Sequence, residues 1–591
     1  MSLSTQIQDL LARRQFAAAR PLLERAARGS NDAQLIFTLA QVLQALGERE
    51  PAAYQAQRAI ASAAGKAYEP QLRVVAGELL QECGKASEAE RLFRDTAERY
   101  PQLPTVRAAW INALRAAGRS GEAGDVALAS LRQFPGDVLL HLIGAGALGE
   151  SLRQSQAREA LLRAVEMGPP DHRVLIPAAT MLHYCDGVDP AVLTQIHRRA
   201  GESLARAAGP SWNPPAGAGT GVLRVALISC DFRDHAVARF LEPWLSGRTR
   251  GTMQIIGVSL LGPADETTAR LRAACDEWID ASGKPDDEIV RLVREARAGI
   301  AMDLSGLHVT ARPMVFARRV APVQISYLGY AGTTGLPTMD YRLVDAVTDP
   351  PGAEHLSSEK LLRLERCFLC FAPDARTPQI ESAASPGQIT FCCFNAQQKI
   401  TDTTLDLWAG AMKAVPHARL ILKGRSLSDA RTRAILDASF QTRGVEPSRI
   451  QVLPHAADYA SHMAEYNRAD IALDTHPYCG TTTTCEALAM GLPVVTLAGK
   501  AHAARVGASL LGAAGVPSGV ANSADEYAAC ARRLAEQFTP LDAGPRARAR
   551  QILRDGARSS ELCNAKDFAG RLEAALVGAK GAGSTPPDAR T

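Results

Sequence analysis

The chain has 591 residues, of which 46% are hydrophobic and 22% are charged, and its formal net charge is +4. This length gives room for three or four domains, and so small a net charge argues against a nucleic-acid-binding protein. No run reaches the roughly 18 apolar residues of a membrane helix, and polar residues interrupt the amino terminus where a secretory signal needs an apolar stretch. We therefore expect a cytoplasmic multidomain protein with neither nucleic acid nor membrane as a partner.

The first third of the chain, residues 1–205, is predicted to be a helical repeat array. Residues of one type recur at a spacing of 34, namely Gly84 and Gly118, then Ala89, Ala123 and Ala157, then Pro101, Pro135 and Pro169. This is the tetratricopeptide period, in which glycine permits the turn between paired helices, alanine lets them approach and proline ends the pair. We predict four to five units, the alternative being a helical bundle without repeats. Such arrays bind peptides, which predicts a protein partner.

The rest of the chain is predicted to form two doubly wound α/β lobes. Short runs of valine, isoleucine and leucine alternate with helical stretches, a pattern typical of parallel sheets covered by helices on both faces. The predicted segments are a linker at 206–221, a first lobe at 222–380, a second lobe at 388–575 and a disordered tail at 576–591. Strands are expected at 223–229, 253–261, 299–304, 322–329, 341–346, 388–394, 418–424, 449–454, 469–475 and 492–499.

A glycine and a run of threonines follow one strand of the second lobe. Ligands of doubly wound sheets bind beyond the carboxyl ends of the strands, where Gly480 precedes Thr481, Thr482 and Thr483 at the start of a helix. Free backbone amides and hydroxyls at such a helix start suit a diphosphate. Glu486, about one turn further on, is placed to reach the ribose of the same nucleotide. The alternative is that the threonines only cap the helix.

The twelve cysteines are irregularly spaced, and Cys367 and Cys370 form a lone CxxC pair. A single pair without nearby histidines is weak support for zinc, and small buried thiols are the better interpretation. We predict no metal and no cofactor apart from a nucleotide-sugar co-substrate.

Several longer motifs carry a family resemblance. They are SCDFRDH at 229–235, DLSG at 303–306, RRVAPVQISYLGYAGTTGLPTMDY at 318–341, FNAQQKI at 394–400 and ADIALDTHPYCGTTTTCEALAMGLPVVTLAG at 469–499. With the repeats, these motifs resemble the O-linked N-acetylglucosamine transferase and SPINDLY family, glycosyltransferase family 41. The resemblance implies a GT-B fold of two lobes and transfer of a sugar from a nucleotide to a protein.

The resemblance also implies roles for the nucleotide-binding residues. Lys399 would neutralise the diphosphate of the departing nucleotide, and His462 would contact the base. Thr482 and Thr483 would hold phosphate oxygens, and Glu486 would bind the ribose. Taken alone, a lysine or histidine at these positions is more often a surface charge or a satisfied polar group.

On the side of the sugar, the resemblance places His235 in the cleft near the acceptor, and Gly329 and Tyr330 on a loop that lines the sugar pocket. It implies a metal-independent, inverting displacement. His235 and Lys399 are therefore the candidate catalytic residues, with His235 orienting or deprotonating the acceptor hydroxyl.

Four positions depart from the pattern of the N-acetylglucosamine enzymes: Glu277, Ala331, Thr481 and Ala396. We expect all four near the sugar or the phosphates, which leaves the transferred sugar open. The favoured function is protein O-glycosylation from UDP-N-acetylglucosamine (UDP-GlcNAc). Alternatives are GDP-fucose, a nonulosonic acid transferred to flagellin, or a non-catalytic scaffold built on the repeats.

Overall fold

The computed structural model describes residues 3–214, 221–381 and 387–583. The chain divides into two compact units, Met1–Ala160 with Asp429–Thr432, and Leu161–Ser428 with Arg433–Thr591. The glycines of the predicted linker at 215–220, part of the segment between the lobes at 382–386 and the tail at 584–591 lie outside the described residues.

The first unit is built from antiparallel helix pairs. Its helices are α1 (Leu3–Ala12), α2 (Phe16–Ala27), α3 (Ala33–Ala45), α4 (Arg49–Ser62), α5 (Glu69–Glu82), α6 (Ala86–Arg99), α7 (Pro104–Ala116), α8 (Ser120–Gln133), α9 (Val138–Glu150) and the start of α10 (Gln154–Met167). Gly84 and Gly118 follow α5 and α7 with φ of +75° and +76°, a left-handed conformation that glycine adopts without strain. Ala89 and Ala123 are fully buried between helices. The predicted helical repeat array is thus confirmed.

Two further helices, α11 (His172–Leu182) and α12 (Pro190–Ala208), belong to the second unit. The division near residue 160 therefore falls well before the predicted boundary at 205. Leu204 of α12 is buried in one cluster with Phe316 and Leu336 of the first lobe. The helical pattern left this open for residues 172–205, because a helix of the array and a helix packed on a sheet have the same periodicity.

The first lobe holds a parallel sheet of seven strands in the order β3-β2-β1-β4-β5-β6-β7. Its elements are β1 (Leu223–Ser229), α13 (Ala236–Gly247), β2 (Met253–Ser259), α14 (Glu266–Ala274), β3 (Glu277–Asp280), α15 (Asp286–Glu295), β4 (Ile300–Asp303), α16 (Pro313–Ala317), β5 (Val323–Ser326), β6 (Tyr341–Asp345) and β7 (Lys360–Leu364). The central strands are buried on both faces, as expected for a parallel sheet between helices.

The second lobe holds a parallel sheet of six strands in the order β10-β9-β8-β11-β12-β13. Its elements are β8 (Thr390–Cys393), α17 (Asp402–Ala414), β9 (Arg419–Lys423), α18 (Ala430–Thr442), β10 (Ile450–Leu453), α19 (Tyr459–Ala464), β11 (Ile471–Leu473), α20 (Thr482–Ala489), β12 (Val494–Leu497), α21 (Val506–Ala513), β13 (Val520–Ala521), α22 (Ala524–Phe538) and α23 (Ala543–Ser559). One more helix, α24 (Ala565–Gly583), follows in the chain. Both sheets have the doubly wound order, so the predicted pair of Rossmann-like lobes is confirmed.

Three strands were missing from the prediction: β3, β7 and β13. Each lies at or next to an edge of its sheet and is short or partly polar, so it lacks the continuous apolar run of a central strand.

The last helix corrects two predictions about the end of the chain. α24 continues to Gly583, so the predicted disordered tail is wrong over residues 576–583. This helix also packs against α13, β5 and β7 of the first lobe, although it follows the second lobe in the chain. Contact is close, because a Cβ added to Gly247 would lie 2.2 Å from the carbonyl oxygen of Ala565. Phe568 and Leu572 are fully buried in the same core.

In the described part of the chain, every helix is too short or too polar to cross a bilayer.

Candidate active site

A cavity of about 340 Å³ opens between the carboxyl ends of the two sheets. The order of each sheet reverses between β1 and β4 and between β8 and β11, and loops that follow such strands form the crevice of a doubly wound fold. Of the predicted site residues, His235, Gly329, Tyr330, Lys399, Thr481, Thr482 and Thr483 line the cavity. Gly480, His462 and Glu486 are not among the residues that line it.

The amino terminus of α20 points into the cavity and is fixed by Asp474. The Oδ1 atom of this buried carboxylate accepts hydrogen bonds from the amides of Thr475 and Gly480 at 2.8 and 2.7 Å. Thr496 donates to Oδ2 at 2.8 Å. Burial raises the pKa of Asp474, and these bonds oppose the increase. The loop that begins α20 is therefore held rigid by a residue behind it.

The threonines at this helix start are not simple caps. Thr481 occupies the cap position, but its side chain makes no capping bond to the helix. The hydroxyl of Thr483 donates to Oδ1 of Asn395, and Nδ2 of Asn395 donates to Asp474 at 3.0 Å. Within the described ranges, no side chain accepts from the amides of Thr482 and Thr483, so the start of α20 faces the cavity as required for binding an anion.

Lys399 lies at the same end of the cavity, on the loop after β8. Its Nζ atom donates to the carbonyl oxygen of Cys479 at 2.9 Å and lies 4.3 Å from the ring centre of Tyr478. It forms no ion pair with any residue in 3–214, 221–381 or 387–583. Burial lowers the pKa of Lys399, while Asp474 opposes the decrease. The ammonium group is thus held by neutral partners beside the helix terminus, where an anionic ligand would stabilise its charge.

Glu486 of α20 and His462 of α19 are joined by a hydrogen bond. Glu486 is 5% exposed, and its Oε2 atom accepts a hydrogen bond from Nε2 of His462 at 3.0 Å. The Nδ1 atom of His462 contacts Nζ of Lys423, which lies at the carboxyl end of β9. Burial lowers the pKa of Lys423 to about 8, and Glu486 opposes the decrease. Sequence reasoning missed Lys423, although its place at a strand end is the same signal that pointed to the threonines of α20.

His235 caps α13 on the opposite wall. Its Nδ1 atom accepts a bond from the amide of Val237 at 3.3 Å and lies 3.7 Å from Oδ1 of Asp231. Burial lowers the pKa of His235, and Asp231 opposes the decrease. The ring is therefore neutral near pH 7. Because Nδ1 accepts, its proton is assigned to Nε2.

The loop that carries Gly329 and Tyr330 is held from two sides. A Cβ added to Gly329 would lie 2.0 Å from the carbonyl oxygen of Leu304, so the loop and the strand-end segment after β4 touch through their backbones. The hydroxyl of Tyr330 lies 2.7 Å from Nε2 of His197 on α12. Helices after the repeat array thus help to shape the cavity, which the motifs gave no means to predict.

Three of the four departures from the family pattern, Ala331, Ala396 and Thr481, line the cavity as expected. The expectation for Glu277 is wrong. It begins edge strand β3 and pairs with Arg224 at 2.8 Å, near the amino-terminal ends of the strands and away from the cavity. The expectation failed because the segment that contains Glu277 was interpreted as a loop, whereas it is strand β3.

The sequence matches the family described as Glycosyl transferase family 41 over residues 211–378 and 379–572. It is similar to the "Probable UDP-N-acetylglucosamine--peptide N-acetylglucosaminyltransferase SPINDLY" of Arabidopsis thaliana, with 37% identity over 60% of this chain and 39% of that protein. The corresponding SEC protein of the same plant is 27% identical over 67% of this chain and 41% of that protein. The chain spans less than half the length of either curated relative.

Among solved structures, the chain is similar to a lysine-to-methionine mutant of the Thermobaculum terrenum O-GlcNAc transferase. The TM-score is 0.75 with 31% sequence identity, and the match covers 87% of this chain and 98% of that one. The likeness therefore extends through helices and both lobes.

Proposed function

The chain belongs to glycosyl transferase family 41, as its motifs predicted, and we propose that it is a nucleotide-sugar-dependent protein O-glycosyltransferase. The favoured reaction transfers N-acetylglucosamine from UDP-GlcNAc to serine or threonine of a protein. The names of the curated relatives support this substrate pair. The observation that carries the proposal is the meeting of Lys399 and the amino terminus of α20 at one end of the cavity.

In the proposed reaction the acceptor oxygen bonds to the anomeric carbon while the bond from that carbon to the diphosphate oxygen breaks, with inversion. The proton of the acceptor hydroxyl passes to the departing diphosphate or to solvent water. The departing oxygen gains negative charge. Lys399 and the free amides of α20 supply positive charge and hydrogen bonds at that point. We propose that these groups meet the electrostatic need of the leaving group without a metal ion.

We propose that His235 binds the acceptor hydroxyl. Its neutral ring, with the proton on Nε2, is arranged to donate a hydrogen bond to the acceptor oxygen. Accepting a proton at Nε2 requires the ring proton to move to Nδ1, which faces Asp231 at 3.7 Å. Orientation of the acceptor is thus the role that this arrangement supports best, and deprotonation needs the other tautomer.

We assign the nucleoside to the end of the site formed by Glu486, His462 and Lys423. Glu486 uses one carboxylate oxygen for His462 and retains a second for a ribose hydroxyl. The repeat array of the first unit is proposed to bind the protein acceptor, and flagellin is one acceptor to test.

The test is an assay of purified protein with UDP-GlcNAc, GDP-fucose and a cytidine-linked nonulosonic acid, read by intact mass and by release of nucleotide. We expect turnover with UDP-GlcNAc and a loss of about 10²–10³ in kcat for Lys399→Met. Lys413→Met is the matched control, because Lys413 is exposed on α17. Absence of turnover with every sugar donor, in the presence of candidate acceptors, would refute the proposed enzymatic activity. The non-catalytic scaffold would then be the remaining hypothesis.

A further inference from the structure

Arg342 is a buried cation in the cavity wall with an unused hydrogen-bond donor. It lies on β6, is 4% exposed and lines the cavity. One guanidinium nitrogen, Nη1, lies 3.4 Å from Oδ1 of Asp349. The other, Nη2, is buried without a hydrogen-bond partner among the residues that the structure describes. A buried donor of this kind is costly when unpaired, so we expect an acceptor to occupy the site when it is filled.

His502 lies beside Arg342, across the same carboxylate. It is 9% exposed, lines the cavity and donates from Nδ1 to Oδ2 of Asp349 at 2.5 Å. Burial lowers the pKa of His502, and Arg342 lowers it further, so the ring is neutral. With the proton on Nδ1, the Nε2 atom is a hydrogen-bond acceptor. It has no protein partner within residues 3–214, 221–381 and 387–583.

The charge of Arg342 is already compensated. Although burial works to raise the pKa of Asp349, the charge of Arg342 and the hydrogen bond from Nδ1 of His502 hold that pKa well below the usual range. Asp349 is therefore ionised and neutralises the guanidinium group. A second carboxylate from a ligand would add an excess negative charge, and it would offer no proton to Nε2 of His502.

A hydroxyl group satisfies both unused atoms at once, because its oxygen accepts from Nη2 while its proton is donated to Nε2. We propose that Arg342 and His502 form a hydroxyl-binding subsite that recognises one hydroxyl of the transferred sugar. This inference rests on the proposed function. It makes the two residues specificity determinants for an uncharged sugar and disfavours a nonulosonic acid.

The first test compares binding of UDP with UDP-GlcNAc, and of GDP with GDP-fucose, by isothermal titration. Arg342→Lys keeps the charge beside Asp349 but removes the fork of nitrogens. We expect the sugar nucleotide to bind about tenfold more weakly, with the affinity for the nucleotide alone unchanged. The control is Arg224→Lys on β1, since Arg224 bonds to the carbonyl oxygen of Ala296 and to Glu277, away from the cavity.

Equal weakening of nucleotide and sugar nucleotide would mean a structural role for Arg342 and would overturn the proposal, as would no change in either. If wild-type protein binds neither nucleotide, the proposed function fails and the subsite fails with it. If the nucleotide binds normally and only the sugar-specific effect is absent, the subsite alone fails.

The second test identifies the hydroxyl with mono-deoxy analogues of the sugar nucleotide that binds. When one particular hydroxyl is removed, we expect the analogue to bind wild-type protein about tenfold more weakly than the parent sugar nucleotide does. Arg342→Lys should bind the analogue and the parent almost equally, because the variant and the deoxy change remove the same bond. His502→Asn, which retains a donor for Asp349 but lacks Nε2, is expected to respond to the same analogue. Equal losses for wild type and both variants at every position would exclude direct contact and leave a bound water as the partner of Nη2.

Discussion

The imidazole of His197 accepts a hydrogen bond from the hydroxyl of Tyr330, with 2.7 Å between Nε2 and the oxygen. The direction follows from the other ring nitrogen, because Nδ1 lies 2.8 Å from the carbonyl oxygen of Leu193 and carries the proton. Burial lowers the pKa of His197 to about 4, so the ring stays neutral at physiological pH. A helix outside both sheets thereby fixes a side chain in the wall of the cavity.

Replacing Tyr330 by phenylalanine leaves this buried nitrogen without its partner. We expect Tyr330→Phe to lower the free energy of unfolding of the second unit by about 1–3 kcal/mol and to raise KM for the sugar donor. Urea denaturation and steady-state kinetics measure the two effects. Tyr54→Phe serves as the control, because Tyr54 is exposed. Unchanged stability and KM would show that the bond does not position the loop.

A close backbone contact between α12 and the cavity loop predicts a steric effect. A Cβ added to Gly201 would lie 2.0 Å from the carbonyl oxygen of Gly335, and backbone atoms have little room to move. We expect Gly201→Ala to cost about 1–3 kcal/mol of stability and to weaken binding of the sugar donor. Gly512→Ala on α21 is the matched control, since its added Cβ meets nothing within 4 Å. Equal unfolding free energies of Gly201→Ala and Gly512→Ala in calorimetry would contradict this prediction.

Glu486 is expected to act on the nucleoside and not on the sugar. Glu486→Gln preserves the shape but removes the charge that faces His462 and Lys423. We predict about tenfold weaker binding of UDP and UDP-GlcNAc alike, measured by isothermal titration. Glu446→Gln, at an exposed position, should leave both affinities unchanged. A loss confined to UDP-GlcNAc would move Glu486 to the sugar end of the site.

The buried carboxyl group of Asp303 predicts a dependence of stability on pH. Burial raises its pKa to about 6, against the opposing bonds from the amides of Gly306 and Ser305. The folded state therefore holds this proton more tightly than the unfolded state. The protonated carboxyl group therefore adds to the free energy of unfolding below pH 4. This contribution, about 3 kcal/mol in total, is lost as the pH rises through 6.

Asp303→Asn is expected to remove that loss, because an amide oxygen still accepts from both backbone amides and does not ionise. Denaturation of wild type and variant between pH 4 and 7 measures the difference in slope. Exposed Asp555→Asn should keep the wild-type slope. Parallel profiles for wild type and Asp303→Asn would contradict the assignment.

Much of the fold was predictable because it is encoded locally. Central strands are continuous apolar runs, and the array repeats its glycines and alanines at a fixed spacing. Strand ends then direct attention to the cavity, which is how the threonines before Glu486 were found. Lys399 was identified only through the family resemblance.

What could not be predicted depends on contacts between distant segments. Arg342 and His502 both bond to Asp349, and each looks unremarkable in its own stretch of sequence. His197 reaches Tyr330 across 133 residues of chain. The segment of edge strand β3 was interpreted as a loop, so Glu277 was wrongly expected near the cavity. A periodicity describes one element and its buried face but does not identify the element that covers it.

The division of the chain near residue 160 limits how repeat arrays can be exchanged between members of the family. A chimera that joins a foreign array at residue 205 would discard α11 and α12, and with them His197 and Gly201. One joined before Leu161 retains both helices and the wall they support. If the array selects the acceptor, as proposed, exchanging it without disturbing the cavity requires a junction no later than Leu161.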